Sequence, residues 1–266
     1  MLRRRKSEVR GELPPVIVQD LRLELARAQR TRYDELWTTR YESVSADTGE
    51  AAVALLAVIT RLKIVCNFDG ASDASSKLSA LREVCFGAGA DARLLVFSQF
   101  VETLEWIADR VDLPYDLLTG SMSFHARQAA IERFKTADSP RVLFTSLRAG
   151  GVGLNLGEAT HVVMFDRWWN PAVENQAIYR AHRFTRETPL HVVRFTVADT
   201  VEERIASILD AKEKLFEDVV ESTVTTAQGF SVEELMHILE VSVGDLDSLQ
   251  KETEDDRNHG EDPRVS

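Results

Sequence analysis

The sequence has little cysteine and lacks any long apolar run. Cys66 and Cys85 are its only cysteines in 266 residues, and their spacing does not match a metal site. Two such cysteines are typical of reduced, mostly buried thiols, so we expect a cytoplasmic protein. A membrane-spanning helix needs about 18 or more apolar residues in a row, and because no such run occurs we expect no membrane partner. The basic start, "MLRRRKSEVR", is followed by no apolar stretch, so we expect no secretory signal.

The sequence also lacks a recognisable set of metal ligands and a phosphate-binding loop. The six histidines are scattered and form no ligand pair with Cys or Glu, so we expect no metal site. No G-x-x-x-x-G-K-[ST] motif occurs, and the sequence contains no Gly-Lys pair. The segment "DELW" at 34–37 resembles a DExH box only superficially, because it lies on a predicted amphipathic helix and follows no strand.

Negative charge is concentrated at one end of the sequence. The formal net charge is −11. Residues 210–266 contain 16 acidic and five basic residues, so they account for all of this charge, and the residues before them are balanced. Residues 141–196 carry seven arginines against four acidic residues. Because net charge bears on steering and solubility, a polyanionic ligand remains compatible with this arginine-rich segment.

Apolar periodicity predicts an α/β fold. Short, almost wholly apolar runs alternate with helical segments, which indicates a single parallel sheet with helices on both faces. One helical segment begins with Asn170 as N-cap and Pro171 at its first position, and two later helices begin at Thr200 or Asp199 and at Ser231. The predicted strands lie near residues 93–97, 115–118, 141–145, 161–165 and 190–195.

The sequence divides into five regions. We expect a disordered basic segment at 1–12, a mostly helical lead-in at 13–90 and the α/β unit at 91–222. A short helical appendage follows at 223–240, and the acidic segment 241–266 is low in apolar residues and is predicted to be disordered.

Three loops at the predicted carboxyl ends of strands are the candidate ligand-binding segments, because ligands of open parallel sheets gather there. They are "SQF", the glycine-rich "TSLRAGGVGLN" and "DRWWNP". Glycines allow close approach of backbone to ligand, although a plain turn explains them equally well. For Trp168 and Trp169 two readings remain: one packs and the other caps the next helix, or they form an aromatic platform beside a nucleic-acid strand.

The helix in "NQAIYRAHRFTR" carries a second candidate feature. At about 100° per residue, Gln176, Arg180 and Arg183 fall on one narrow stripe. A core-facing helix would carry leucines there. The stripe is either a solvated face with weak surface ion pairs or a site that binds an anion.

Taken together, these segments resemble a known family. The order and spacing of "LLVFSQF", "LLTGSMSFHARQAAIERF" and "TSLRAGGVGLNLGEATHVVMFDRWWNPAVENQAIYRAHRFTRETPLHVVRF" are similar to the C-terminal helicase lobe of Swi/Snf-type DNA-dependent ATPases in helicase superfamily 2. "LPPVIVQDLRLELARAQRTRYDEL" and "ITRLKIVCNF" resemble the segment that joins the two motor lobes. The resemblance covers roughly residues 13–220 and implies a RecA-like lobe, with a helical lead-in and C-terminal helices.

The resemblance also implies roles for individual residues. In this family ATP with Mg²⁺ binds between two lobes, the first lobe supplies the phosphate-binding loop and the Mg²⁺ carboxylates, and the second inserts arginines across the cleft. Arg180 and Arg183 match these arginine fingers, and Gln176 matches the glutamine that begins their motif. Gly151, Gly153 and Asn155 match the loop that couples the nucleotide to DNA. The positions that match contacts to double-stranded DNA are Ser98, Gln99, Gly120, Arg127, Arg148, Asn155 and Trp169.

Two departures from the family pattern qualify this picture. Tyr179 stands where the family has Gly or Asp, and "RFTR" stands where it has "RIGQ", so Phe184 and Arg186 bear on the fine geometry of the cleft. The missing phosphate-binding loop is the larger departure. We therefore expect either the second lobe of a DNA-dependent ATPase and translocase, with a first lobe in another chain or missing, or a non-catalytic DNA-binding or protein-interaction remnant.

Overall fold

The computed structural model describes residues 14–40, 48–136, 138–146, 156–182, 188–218 and 230–242. Six strands form one sheet in the order β1-β6-β5-β2-β4-β3, and every neighbouring pair is parallel. The strands are β1 (Val16–Leu23), β2 (Arg93–Ser98), β3 (Tyr115–Leu118), β4 (Arg141–Ser146), β5 (His161–Met164) and β6 (Leu190–Val197).

The five strands predicted from apolar runs are confirmed, and β1 is an addition to them. It lies in the lead-in, which was predicted to be mostly helical. β1 pairs in register with β6 over its whole length, from Val16 opposite Leu190 to Leu23 opposite Val197. Ile17 and Val18 remain 45% and 47% exposed, so this edge strand depends on a distant pairing partner and gives only a weak local signal.

Eight helices accompany the strands in the described part of the chain. The predicted N-caps are confirmed: the side chains of Asn170 and Ser231 accept hydrogen bonds from the first turns of their helices, and the Thr200 hydroxyl accepts one from the Glu202 amide. The helices are α1 (Arg27–Thr38), α2 (Thr48–Asn67), α3 (Ser76–Gly87), α4 (Val101–Ala108), α5 (Phe124–Thr136), α6 (Pro171–Ala181), α7 (Val201–Asp218) and α8 (Val232–Leu239).

Three apolar clusters hold these elements together. On one face of the sheet, α5 and α6 pack on side chains such as Leu95 and Met164. On the other face, α3 and α4 pack on the alternate side chains, such as Leu94 and Phe165. The third cluster joins α1, α2, α7 and α8 around Leu62. Helices therefore cover both faces of the sheet, as predicted. None of the helices described here is long and apolar enough to cross a membrane.

Candidate functional site

The carboxyl ends of three neighbouring strands meet at one edge of the sheet. Ser98 at the end of β2 lies in register with Ser146 at the end of β4, and Asp166 follows β5 on the other side of β2. Two of the loops predicted to lie together, "SQF" and "DRWWNP", are therefore adjacent. We call this the carboxyl edge.

Asp166 ties the carboxyl edge together. Its side chain is fully buried and accepts hydrogen bonds from the Ser98 hydroxyl, the Gln99 amide nitrogen at 3.2 Å and the Asn67 side-chain amide at 3.2 Å. A buried carboxylate needs such donors, because burying a charge without them is strongly unfavourable. Asp166 thereby fixes the backbone at Gln99 to the turn after β5.

Ser98 lies in the interior of the protein. It was predicted to contact DNA, but the residue is fully buried and its hydroxyl is engaged with Asp166 and with the Phe100 amide at 3.1 Å. Its direct contact with DNA stays a prediction. Its neighbour Gln99 is only partly buried and lies at the surface of the edge.

A buried ionic network extends from Asp166 to helices α2, α3 and α7. Lys77 of α3 donates to Asn67 Oδ1 at 2.8 Å and to Glu202 Oε1 of α7 at 2.6 Å. Both side chains of the Lys77–Glu202 pair are fully buried. The second Glu202 oxygen accepts from the Val197 amide at 3.1 Å. The network thus links α2, α3 and α7 to the end of β6.

A second branch of this network holds the turn between β5 and α6. Arg167 Nε lies 3.1 Å from both oxygens of Glu174 in α6, and both side chains are almost completely buried. Lys63 of α2 is also fully buried, and its ammonium donates to the Arg167 carbonyl at 2.6 Å. Burial lowers the pKa of Lys63 below its ordinary value, and the charges of Asp166 and Glu202 act in the opposite direction.

The two adjacent tryptophans pack on different clusters. Trp168 packs against the α5–α6 side of the sheet, and its amide donates to Glu174 Oε1 at 2.6 Å. Trp169 packs against the cluster formed by α1, α2, α7 and α8. Its ring lies edge-on to the Phe230 ring, with 5.4 Å between the ring centroids. Neither ring caps α6, because Asn170 does so. Trp169 is half-buried, and its contact with nucleic acid stays a prediction.

Gly120 and Arg127 lie together at the carboxyl end of β3. Gly120 is exposed, and a Cβ atom there would meet nothing within 4 Å. Arg127, in the first turn of α5, donates from Nη2 to the Thr119 carbonyl at 3.3 Å. The guanidinium is thus anchored beside the residue that precedes Gly120. These two predicted DNA contacts share an edge with Gln99 and Trp169.

Arg180 lies at the opposite edge of the sheet. Helix α6 starts beside the carboxyl edge, runs for 11 residues and is therefore about 16 Å long. At its far end the Arg180 carbonyl accepts from the Leu156 amide at 3.2 Å, and His182 Nε2 lies 2.8 Å from the Pro14 carbonyl, just before β1. The structure therefore separates Arg180 from Gln99, Gly120, Arg127 and Trp169. It places Arg180 beside Leu156, which follows the glycine-rich segment.

The structure describes two of the three residues of the stripe predicted on α6. Gln176 is exposed and Arg180 is half-buried one turn later. The helix ends at Ala181, because His182 has extended backbone (φ −93°, ψ 92°). Arg183, the third predicted member of the stripe, lies beyond the described part of this helix, so its place on the stripe stays a prediction. The predicted site residues that lie outside the described part of the chain are Arg148, Gly151, Gly153, Asn155 and Arg183, as are Phe184 and Arg186.

The buried ionic network was not predicted from the sequence. The loop "DRWWNP" was a candidate because of its tryptophans, and neither Asp166 nor Lys63 was among the predicted site residues. A lysine within "ITRLKIVC" and another at the start of "KLSALREVCF" were the available signal, because a charged residue on an apolar helix face needs a buried partner.

Comparison with known proteins agrees with this architecture. Residues 76–185 match the family described as "Helicase conserved C-terminal domain". The chain is 33% identical over 248 residues to an ATP-dependent helicase of Mycoplasma pneumoniae, covering 90% of this chain and 24% of that protein. It is 31% identical over 242 residues to the SWI/SNF-related matrix-associated actin-dependent regulator of chromatin subfamily A member 1 of Mus musculus, covering 83% of this chain and 23% of that protein. The chain thus spans about a quarter of the length of these curated relatives.

Solved structures have the same fold. The Sulfolobus solfataricus SWI2/SNF2 ATPase C-terminal domain superposes with a TM-score of 0.64 at 26% identity, covering 85% of this chain and 99% of that one. The SWI2/SNF2 ATPase core of the same organism, solved in complex with dsDNA, superposes with a TM-score of 0.65 at 24% identity, covering 89% of this chain and 53% of that one. The six-stranded parallel sheet is therefore RecA-like, and the chain belongs to the Swi/Snf-type ATP-dependent helicases as their helicase C-terminal lobe.

Proposed function

We propose that this chain is the second motor lobe of an ATP-driven translocase on double-stranded DNA. One observation carries the proposal. Arg180 lies at the opposite edge of the sheet from Gln99, Gly120, Arg127 and Trp169, and α6 with the turn that precedes it joins the two edges. A motor lobe must touch nucleotide and DNA at separate places and connect them through a rigid element. Helix α6 is such an element, since Glu174 near its start is locked to Arg167.

Arg180 and Arg183 are the proposed arginine fingers of the nucleotide cleft. Transfer of the γ-phosphoryl group spreads negative charge over its equatorial oxygens, and a guanidinium placed there stabilises that charge. Arginine suits this role because its planar fork is permanently charged and makes bidentate contacts. Gln176, one turn before Arg180, is exposed and is proposed to orient groups in the same cleft. Gly151 and Gly153 are proposed to let the backbone approach the nucleotide.

The first lobe is proposed to supply the phosphate-binding loop and the Mg²⁺ ligands. These 266 residues contain no G-x-x-x-x-G-K-[ST] motif. The described part of the chain also brings together no three His, Cys, Asp or Glu side chains that could hold a metal ion. We therefore assign no Mg²⁺ ligand to this chain and propose that the first lobe lies outside these residues.

At the carboxyl edge, we propose contacts to the DNA backbone. Gln99, Gly120 and Arg127 present an amide, an open stretch of backbone and a guanidinium, and such groups bind phosphates without reading sequence. Trp169 and Arg148 are proposed to add to the same surface, and Asn155, which directly precedes Leu156, is proposed as a separate DNA contact. The dsDNA held by the S. solfataricus core supports the choice of duplex DNA through likeness of fold.

A complementation assay tests this function. ATP hydrolysis is measured for this chain, for a first lobe carrying a phosphate-binding loop, and for both together, each with and without duplex DNA. We expect substantial hydrolysis only when both lobes and DNA are present. Robust DNA-stimulated hydrolysis by this chain alone would refute the assignment of the phosphate-binding elements to another lobe.

The same assay separates the competing function. A non-catalytic remnant would bind DNA or protein yet would add nothing to hydrolysis in any combination. The first lobe should come from a relative whose own two lobes are active together, so that its competence is known beforehand. Failure to stimulate that lobe, with this chain folded and bound to DNA, would favour the remnant.

A further inference from the structure

Lys63 is a buried lysine that reaches the turn proposed to face DNA. Its side chain is fully buried in α2, far along the sequence from the carboxyl edge. Its ammonium donates to the Arg167 carbonyl at 2.6 Å and lies 4.6 Å from the centre of the Trp169 ring. One ammonium therefore holds both the backbone of this turn and the face of its second tryptophan.

Gln99 shares its acceptor with Lys63. The Gln99 side-chain amide donates to the same Arg167 carbonyl at 3.4 Å, and a carbonyl oxygen has two lone pairs to receive both donors. The Gln99 backbone amide is fixed separately by Asp166. The position of the Arg167 carbonyl therefore determines where the Gln99 side chain can donate a hydrogen bond within the protein. Lys63 makes the shorter of the two hydrogen bonds to that carbonyl.

An ammonium is an unusual choice for this interior position. Burial disfavours its charge, and buried ion pairs can often be replaced by apolar side chains of similar volume with little loss of stability. Stability alone thus does not account for a lysine at position 63. What the ammonium provides, and a methionine would not, is a directed contact to one carbonyl and attraction to one aromatic face.

We infer that Lys63 is a positioning residue for DNA binding, which holds the Arg167 carbonyl and the Trp169 ring so that Gln99 and Trp169 face the duplex. The inference rests on the proposed DNA-binding function of the carboxyl edge. It assigns to the lead-in helix α2 a direct influence on how the lobe holds DNA.

The test is a mutant cycle on DNA affinity. Lys63→Met is made in the wild-type chain and in a Gln99→Ala/Trp169→Ala background, and binding to a short fluorescent duplex is followed by anisotropy. In the wild-type chain Lys63→Met should raise Kd about tenfold, which corresponds to about 1.4 kcal/mol. In the double background the same substitution should change Kd by less than about twofold, because the groups that Lys63 positions are gone.

Matched variants separate positioning from loss of stability. Leu190→Ala removes a fully buried side chain at the opposite edge of the sheet, so it should lower stability and leave Kd unchanged under conditions where circular dichroism shows both variants folded. Lys63→Arg retains a charged donor and should recover part of the lost affinity. If Lys63→Met does not fold, Lys63→Gln takes its place in the cycle, and its smaller loss should likewise vanish in the double background.

The outcomes distinguish this inference from the function on which it rests. If Gln99→Ala/Trp169→Ala binds DNA as tightly as the wild-type chain, the proposed DNA edge is wrong and the inference is overturned with it. If that double variant binds weakly while the Lys63 variants bind normally, the DNA edge stands and the role of Lys63 is refuted. A loss of affinity of equal size in both backgrounds would also refute it.

Discussion

The buried pair of Lys77 and Glu202 allows a sharp test of the structure. Their charged atoms lie 2.6 Å apart and both side chains are fully buried. Each makes a further hydrogen bond, since Lys77 also donates to Asn67 Oδ1 and Glu202 also accepts from the Val197 amide. Lys77→Met keeps most of the side-chain volume and removes the positive charge, so it leaves a buried carboxylate with a single donor.

The expected cost follows from that uncompensated charge. Removal of one partner from a buried ion pair typically costs about 3–5 kcal/mol. Domains have a total stability of about 5–15 kcal/mol, so Lys77→Met should remove about a fifth of it or more. The double variant Lys77→Met/Glu202→Gln has no charge left at either of these two positions, and its amide oxygen can still accept from Val197. We expect it to be at least about 2 kcal/mol more stable than Lys77→Met alone.

Urea denaturation followed by far-UV circular dichroism measures both differences. The midpoints can be compared directly if the slopes of the transitions agree. A loss below about 1 kcal/mol for Lys77→Met would show that the pair is solvated, contrary to the structure. A double variant no more stable than the single one would show that the loss comes from packing and not from unpaired charge.

Three further outcomes are expected. Burial raises the pKa of Cys85 to about 11 and that of Cys66 to about 12, so both thiols should resist alkylation at neutral pH until the chain is unfolded. In the unfolded chain the thiols ionise at their ordinary pKa of 9.0, so the stability of the folded chain should fall as the pH rises above that value. Cys66→Ala should make this fall in stability smaller. Ser231→Ala, which removes the capping box of α8, should cost about 1 kcal/mol in thermal or urea unfolding. Duplex binding by this chain should be weak, steeply salt-dependent and indifferent to sequence in a competition assay, and removal of the acidic residues 241–266 should not weaken it.

The sequence predicted the strands and helix caps that depend on residues close together in the chain. The apolar runs of β2 and β4 are buried on both faces, so they appear in the sequence as unbroken stretches. Asn170 and Ser231 cap helices through bonds within three residues, and the sequence shows both the cap and the helix that it serves. The neighbouring loops after β2 and β5 could also be placed, because parallel strands end at one edge.

The remaining features depend on contacts between distant residues. β1 exists through its pairing with β6, more than 160 residues later, and its own residues are half-exposed. Lys63 meets the Arg167 carbonyl across 104 positions, so no spacing rule could reveal the contact. The His182 ring at the end of α6 bonds to the carbonyl of Pro14, 168 positions earlier in the chain, so this contact also depends on tertiary structure.

The most direct test of the central claim is the rate of ATP hydrolysis by a motor assembled from this chain and a competent first lobe. Arg180→Ala and Arg183→Ala should each slow hydrolysis by about 10³-fold or more, with DNA affinity and thermal stability of the lobe almost unchanged. Lys at either position should restore little, since an ammonium lacks the planar fork of arginine. Near-wild-type hydrolysis by both alanine variants would contradict the account and return these arginines to an ordinary solvated surface.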